Sequence, residues 1–259
     1  MLKKIITFLL CALLFMHLPV NSAETKRVSQ VKRVNAIGLK LLKENKLPTR
    51  ISFRVSQSYK VNAYANIRNE VCVYRGLLDY IDDDDELAAI LSHEIGHIIN
   101  SHVRQQNIVG IAAIAAASLA DATANTGSAT TLAAETGLRK MSRSKEYEAD
   151  ITGVDLMYKA GYNPLAMISI LNKIGGDYVD FLATHPSGNK RLMYIYNYIT
   201  YNYPDLKYES DSFENFIIYA QPIIDERNSN PEKLAKYNYK QEKLKQKRLI
   251  KYAKYTKRR

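Results

Sequence analysis

Apolar residues recur at helical spacing over residues 26–47. Val28, Val31, Val34, Ile37, Leu39, Leu41 and Leu42 are separated by Lys and Arg, and Pro48 closes the run. Ile51 to Val55 then alternates apolar and polar, which predicts a strand. Residues 62–65 and 70–74 predict two more strands around a turn at 67–69, with Gly76 closing the last, and Leu77 to Tyr80 begins a short helix. The acids Asp82 to Asp85 lack the glycine and terminal Glu of a calcium loop. They suit a helix start, where negative charge meets the positive end of the dipole. That helix runs from about Glu86 to Arg104, and its broad apolar surface predicts a central, buried element. Further helices are predicted over 142–160, 164–171, from Thr184-His185-Pro186-Ser187 toward Tyr201, over 213–219, and from Pro231 onward. Residues 108–137 read as a helical hairpin or long loop. They pack as small-residue helix, act as a lid, or touch lipid; their thirteen-residue apolar run is too short to span a bilayer.

The start of the chain changes the picture. Lys3 and Lys4 precede an apolar run from Ile5 to Val20, and small polar residues follow at Asn21 to Ala23. This is the pattern of a secretory leader over 1–23, cut after Ser22 or Ala23; an uncleaved membrane anchor is the alternative. Cys11 lies in mid-run, a poor site for lipid attachment. Without the leader one cysteine remains, Cys72, so no disulfide within the chain is expected. It reads as a small buried hydrophobe, with a dimer through Cys72 as the alternative.

The chain has 259 residues, 46% of them hydrophobic, and a net charge of +11. Residues 232–259 hold twelve Lys/Arg against two Glu, so the basic character belongs to the tail. A basic helix meets nucleic acid, anionic lipid or an acidic protein. Export sets nucleic acid aside and leaves envelope proteins or an anionic membrane surface. A solvated tail without a partner is the plainer reading.

Chemistry gathers around His93-Glu94-Ile95-Gly96-His97. Histidines four apart share one helix face and can reach one Zn²⁺, with Glu94 beside it as the base that deprotonates a metal-held water. Gly96 is expected to leave the metal uncrowded. A catalytic zinc needs a third protein ligand. His102, only five residues on, is rotated away from His97 on the helix and reads as a helix-end or packing residue, with a ligand as the alternative. Glu146 is the better candidate, with Asp150 on the same face to orient a ligand histidine, and Glu148 pointing elsewhere. A solvated acidic face is the competing reading of that segment. His185, at a helix start, is placed to meet substrate and to stabilise an oxyanion. Arg191 holds either an active-site carboxylate or the substrate carbonyl.

These stretches together resemble the gluzincin zinc metallopeptidases of the HtpX, CAAX-prenyl endopeptidase and BepA type, peptidase family M forty-eight. The matching residues are Asn62-Ala63-Tyr64, Gly76-Leu77-Leu78, Glu86 through His97, Ser144 with Glu146 through Asp150, and Thr184-His185-Pro186 with Arg191. They span about residues 28–200. The resemblance implies an α+β fold: a mainly helical zincin-type domain over 24–204 with a small edge β-sheet. A basic helical extension over 205–259 follows it. It implies one Zn²⁺ held by His93, His97 and Glu146, with Glu94 as general base and His185 over the site. In that role His185 contributes to catalysis or approaches the metal in a closed resting state. Asp150 and Arg191 would support the ligands. Asn62, Ala63 and Tyr64 would form the edge along which a substrate peptide lies. The chain departs from the family in having Ile67-Arg68-Asn69-Glu70 where paired glycines are common, and in lacking a clear tetratricopeptide domain.

The function expected is metalloendopeptidase cleavage of exposed or misfolded envelope proteins, in quality control or outer-membrane biogenesis. The alternative is a zinc-binding periplasmic chaperone or assembly factor with little or latent proteolysis.

Overall fold

The computed structural model describes residues 22–112, 143–177, 185 and 188–256. Residues 1–21 of the expected leader, all of the 108–137 segment beyond residue 112, and Thr184, Pro186 and Ser187 lie outside them.

Helix α1 (Ser22–Glu44) buries Val34, Ile37, Leu41 and Leu42. Leu39, counted in the apolar pattern, is exposed instead. The helix ends before Pro48, in a turn where Lys46 takes a φ of 52°. A three-stranded sheet follows: β1 (Ser52–Ser56), β2 (Ala63–Ala65) and β3 (Glu70–Tyr74), in the order β1-β3-β2. β1 pairs parallel to β3, and β2 pairs antiparallel to it with Tyr64 opposite Cys72. β2 is therefore an edge strand. Cys72 is fully buried at the sheet centre, out of reach of a second chain. Gly76 lies inside the short helix α2 (Arg75–Leu78) rather than ending the strand.

Helix α3 (Asp84–Ile99) is the centre of the molecule, buried continuously from Glu86 to His97. The acidic cluster starts it as expected. Asp83 is its N-cap and accepts a hydrogen bond from the Glu86 backbone N–H at 2.8 Å. The sequence predicts one helix to Arg104, but α3 stops at Ile99. Asn100 caps it, Ser101 turns left-handed with φ 61°, and residues 102–112 resume as α4.

Helix α5 (Arg143–Lys159) crosses α3 closely. The crossing is made possible by Gly96: a Cβ there would sit 2.7 Å from the Ala149 carbonyl oxygen. Gly96 thus serves the helix contact, not an uncrowded metal. Helices α6 (Ala166–Asp177) and α7 (Asn189–Asn202) complete the shell around α3 and α5. α7 begins four residues after His185, which itself lies outside the helix.

Helix α8 (Asp211–Ser229) packs on α6, and α9 (Pro231–Thr256) packs on α7 and α8. Among the described residues no helix is long and apolar enough to cross a membrane. The result is an α+β fold, mainly helical, with one small open sheet and helical C-terminal elements.

Candidate metal centre

Two helices and one loop residue converge at the α3–α5 crossing. His93 and His97 lie one turn apart on α3, so both imidazoles project toward α5. Glu146 in the first turn of α5 meets them, and His185 closes the cluster. All four side chains are buried, and one donor atom from each lies within 4.8 Å of the others.

The separations suit one small cation. His93 Nε2 is 3.1 Å from His97 Nε2 and 3.3 Å from His185 Nδ1. Glu146 Oε2 is 3.1 Å from His185 Nδ1 and 3.5 Å from His93 Nε2, and its Oε1 is 3.3 Å from His97 Nε2. A tetrahedron of ligands about 2.1 Å from a zinc ion has edges of about 3.4 Å. The donor set, three imidazole nitrogens and a carboxylate, is one zinc prefers. Glu146 Oε1 and Glu94 Oε1 are buried without a hydrogen-bond partner, which leaves two carboxylate oxygens for a cation or for water on it. The cluster is geometrically consistent with a single catalytic Zn²⁺.

Electrostatics favour positive charge here. Burial disfavours the charged form of His93, but Asp150 and Glu146 outweigh it and raise its pKa to about 9. Burial dominates at His97 and lowers it to about 4. Burial raises Glu146, yet His185, His93 and His97 together hold its carboxyl well below the usual range. The pocket collects Glu94, Glu146 and Asp150 around one guanidinium, Arg191.

The supporting contacts are specific. His93 Nδ1 lies 2.9 Å from Asp150 Oδ1. Arg191 donates from Nε and Nη2 to Asp150, each at 2.8 Å, and its Nη1 is 3.1 Å from Glu146 Oε2. Of the two tasks open to Arg191, holding carboxylates is the one the geometry displays. His185 Nε2 is 3.4 Å from Glu94 Oε1, so this ring touches both the donor cluster and the carboxylate beside it.

One side chain departs from the sequence expectation. His102 is not rotated away from His97: the break at Ser101 brings its Nδ1 to 3.2 Å from His97 Nδ1. Glu148 stands outside the four-donor cluster, as expected, and its Oε2 is 3.0 Å from His102 Nε2. The one weak signal of the break is Asn100, a residue type sometimes found at helix ends. Asn62, Ala63 and Tyr64 lie at and just before the edge strand β2, which packs against α3.

The family profile described as "Peptidase family M48" matches residues 29–199. The chain is 29% identical over 178 residues to the "Beta-barrel assembly-enhancing protease" of Yersinia pestis, covering 61% of this chain and 37% of that protein. It is 29% identical over 185 residues to "Metalloprotease YcaL" of Escherichia coli (strain K12), covering 68% of this chain and 72% of YcaL. It is 34% identical over 140 residues to "Mitochondrial metalloendopeptidase OMA1" of Arabidopsis thaliana, covering 51% and 28%. The aligned region thus spans little more than a third of the assembly-enhancing protease.

Proposed function

Because the chain belongs to peptidase family M48, we propose that it is a zinc-dependent metalloendopeptidase acting on exposed or misfolded polypeptide of the cell envelope. The observation that carries this reading is the buried His93–His97–Glu146–His185 cluster with the buried carboxylate of Glu94 beside it. His93, His97 and Glu146 are the metal ligands. Zinc, when bound, polarises a peptide carbonyl and makes water acidic enough to be deprotonated near neutral pH. Glu94 accepts that proton and returns it to the leaving amine. Asp150 holds the His93 ring through Nδ1, and Arg191 neutralises Asp150 while steadying Glu146. Asn62, Ala63 and Tyr64 present the edge on which a substrate backbone adds as a further strand.

The leader pattern over 1–23 supports export to the periplasm. We divide the rest into a peptidase unit over 24–204 and an extension over 205–259. The relatives' names as proteases and as an assembly-enhancing protease support polypeptide substrates and a setting in quality control or outer-membrane biogenesis.

A second reading, latent proteolysis in a zinc-binding chaperone or assembly factor, is favoured by one observation. His185 Nδ1 stands where a fourth ligand would, in the place that water needs. The two readings meet if this is a resting state that substrate opens.

Between α7 and the extension lies a groove of about 810 Å³ lined by Met193, Tyr194 and Leu244 and by Lys236, Lys240, Lys243 and Lys247. These lysines recur at helical spacing and no ion-pair partner of theirs is found among the described residues. They support an anionic partner, a membrane surface or an envelope protein.

The deciding experiment compares the mature chain loaded with zinc against Glu94→Gln on an unfolded protein substrate. Cleavage by the first and none by the second is expected. Equal cleavage by both sinks the catalytic reading.

A further inference from the structure

We propose that His102, Glu148 and Lys251 form a relay that positions the metal-binding ring of His97, so that the C-terminal helix α9 is part of the zinc site's support. The inference rests on the reading that His97 binds the metal.

The relay begins with the helix break. Ser101 adopts φ 61°, and its N–H bonds back to the Ile98 carbonyl at 3.0 Å. The chain turns there, and His102 comes to lie against the His97 ring, 2% exposed. His97 Nδ1 and His102 Nδ1 are 3.2 Å apart, and His102 Nε2 is 3.0 Å from Glu148 Oε2. Lys251 of α9 pairs with the other oxygen of the same carboxylate.

Proton positions follow from one premise. If His97 gives Nε2 to the metal, its Nδ1 carries hydrogen and donates to His102 Nδ1. His102 must then carry its hydrogen on Nε2 and donate to Glu148. Every donor then meets an acceptor, and the carboxylate at the end is paired with an ammonium. His93 has the same arrangement in shorter form: its Nδ1 meets Asp150, which Arg191 balances. A carboxylate behind a ligand histidine fixes its tautomer and makes it a stronger ligand.

Lys251 matters because Glu148 is only partly covered, with 42% of its side chain exposed. Its Oε2 meets His102 Nε2 and its Oε1 meets the Lys251 ammonium, so each carboxylate oxygen has its own partner. A second path joins the same elements. Arg248 of α9 donates to Thr152 Oγ1 at 2.9 Å, and Asn100, the residue capping α3 at the break, donates to that oxygen at 3.0 Å. Thr152 Oγ1 in turn donates to the Glu148 carbonyl at 2.7 Å. Helix α9 therefore reaches the break and the relay at two points.

The test uses the mature full-length chain, zinc affinity by chelator competition, and the visible spectrum of the cobalt-substituted protein. His102→Leu is expected to weaken zinc binding by about 10–100-fold and to shift the cobalt bands. His102→Gln, which keeps an acceptor and a donor, restores part of the loss. Lys251→Met lies at the far end and leaves the core untouched. It is expected to weaken zinc binding by a smaller factor, and to add nothing in the His102→Leu background. Wild-type affinity and an unchanged cobalt spectrum in Lys251→Met overturn the role of α9. The same result in a folded His102→Leu overturns the relay. Failure of the wild-type chain to bind one zinc defeats the underlying metal reading instead.

Discussion

The guanidinium of Arg248, near the end of the last helix, lies 2.8 Å from Asp155 Oδ2 on α5, the helix that carries Glu146. Its Nε donates to the same oxygen at 2.9 Å, and both residues are buried. Asp155 also accepts from Tyr198 and Tyr203 at 2.7 and 3.1 Å. The most basic stretch of the chain is thus anchored on the peptidase unit by Arg248 and Lys251, while Lys236, Lys240, Lys243 and Lys247 are exposed.

Arg248→Ala should therefore act as a core substitution. Removing one partner of a buried ion pair costs about 3–5 kcal/mol, and the two tyrosines left on Asp155 hold the loss toward the lower figure. Urea unfolding of the wild type and the variant checks this. A loss within about 0.5 kcal/mol, typical of a surface site, would show that α9 is not anchored there.

Glu94→Gln should keep one zinc per chain and lose hydrolysis by at least about 10²–10⁴-fold, the scale of general acid–base catalysis. Glu146→Ala should lose the metal itself, because it removes the one carboxylate among the four donors. Metal analysis after gel filtration separates the two outcomes.

His185→Ala should open the fourth position. In the cobalt-substituted protein, azide is expected to shift the visible bands of this variant and to leave those of the wild type unchanged. Equal azide shifts in both would mean that His185 does not occupy the metal's fourth position in solution.

Gly96→Ala reverses the usual rule for helices, where Ala is favoured over Gly by about 1 kcal/mol. Its Cβ would meet backbone at 2.7 Å, and the Ala149 carbonyl cannot move without shifting α5. A net loss of about 1–3 kcal/mol is expected, as for overpacking, together with weaker zinc binding, since α5 carries Glu146. Gly153→Ala is milder, because its nearest neighbour is the flexible end of Met167 at 2.8 Å. Paired thermal melts with and without zinc test both.

The histidine pair and Glu94 were legible because a helix face repeats every four residues, and the run around them was apolar enough to mark a buried helix. Glu146 and Asp150 followed from the same rule on α5. What was hidden depended on backbone geometry that residue types signal weakly. Ser101 adopts a left-handed φ without being glycine, so the sequence reads through it as helix and turns His102 the wrong way. The contact of Glu148 with His102 is hidden for the same reason. In the tail, Lys and Arg look alike by charge count. The period of Leu234, Tyr237, Gln241, Leu244 and Arg248 marks the inward stripe, and only packing tells which cation is buried.

The open edge of β2 has a consequence for timing. If substrate adds at this edge as proposed, the backbone groups that a folded protein holds in its own ladders and helices reach Ala63–Ala65 only when a segment opens. When opening and closing are faster than the cut, the rate of loss follows the population of the opened form. Two substrates with the same sequence around the scissile bond would then be consumed in proportion to how often each breathes there, and a partner that clamps the segment shut would protect it without touching the enzyme.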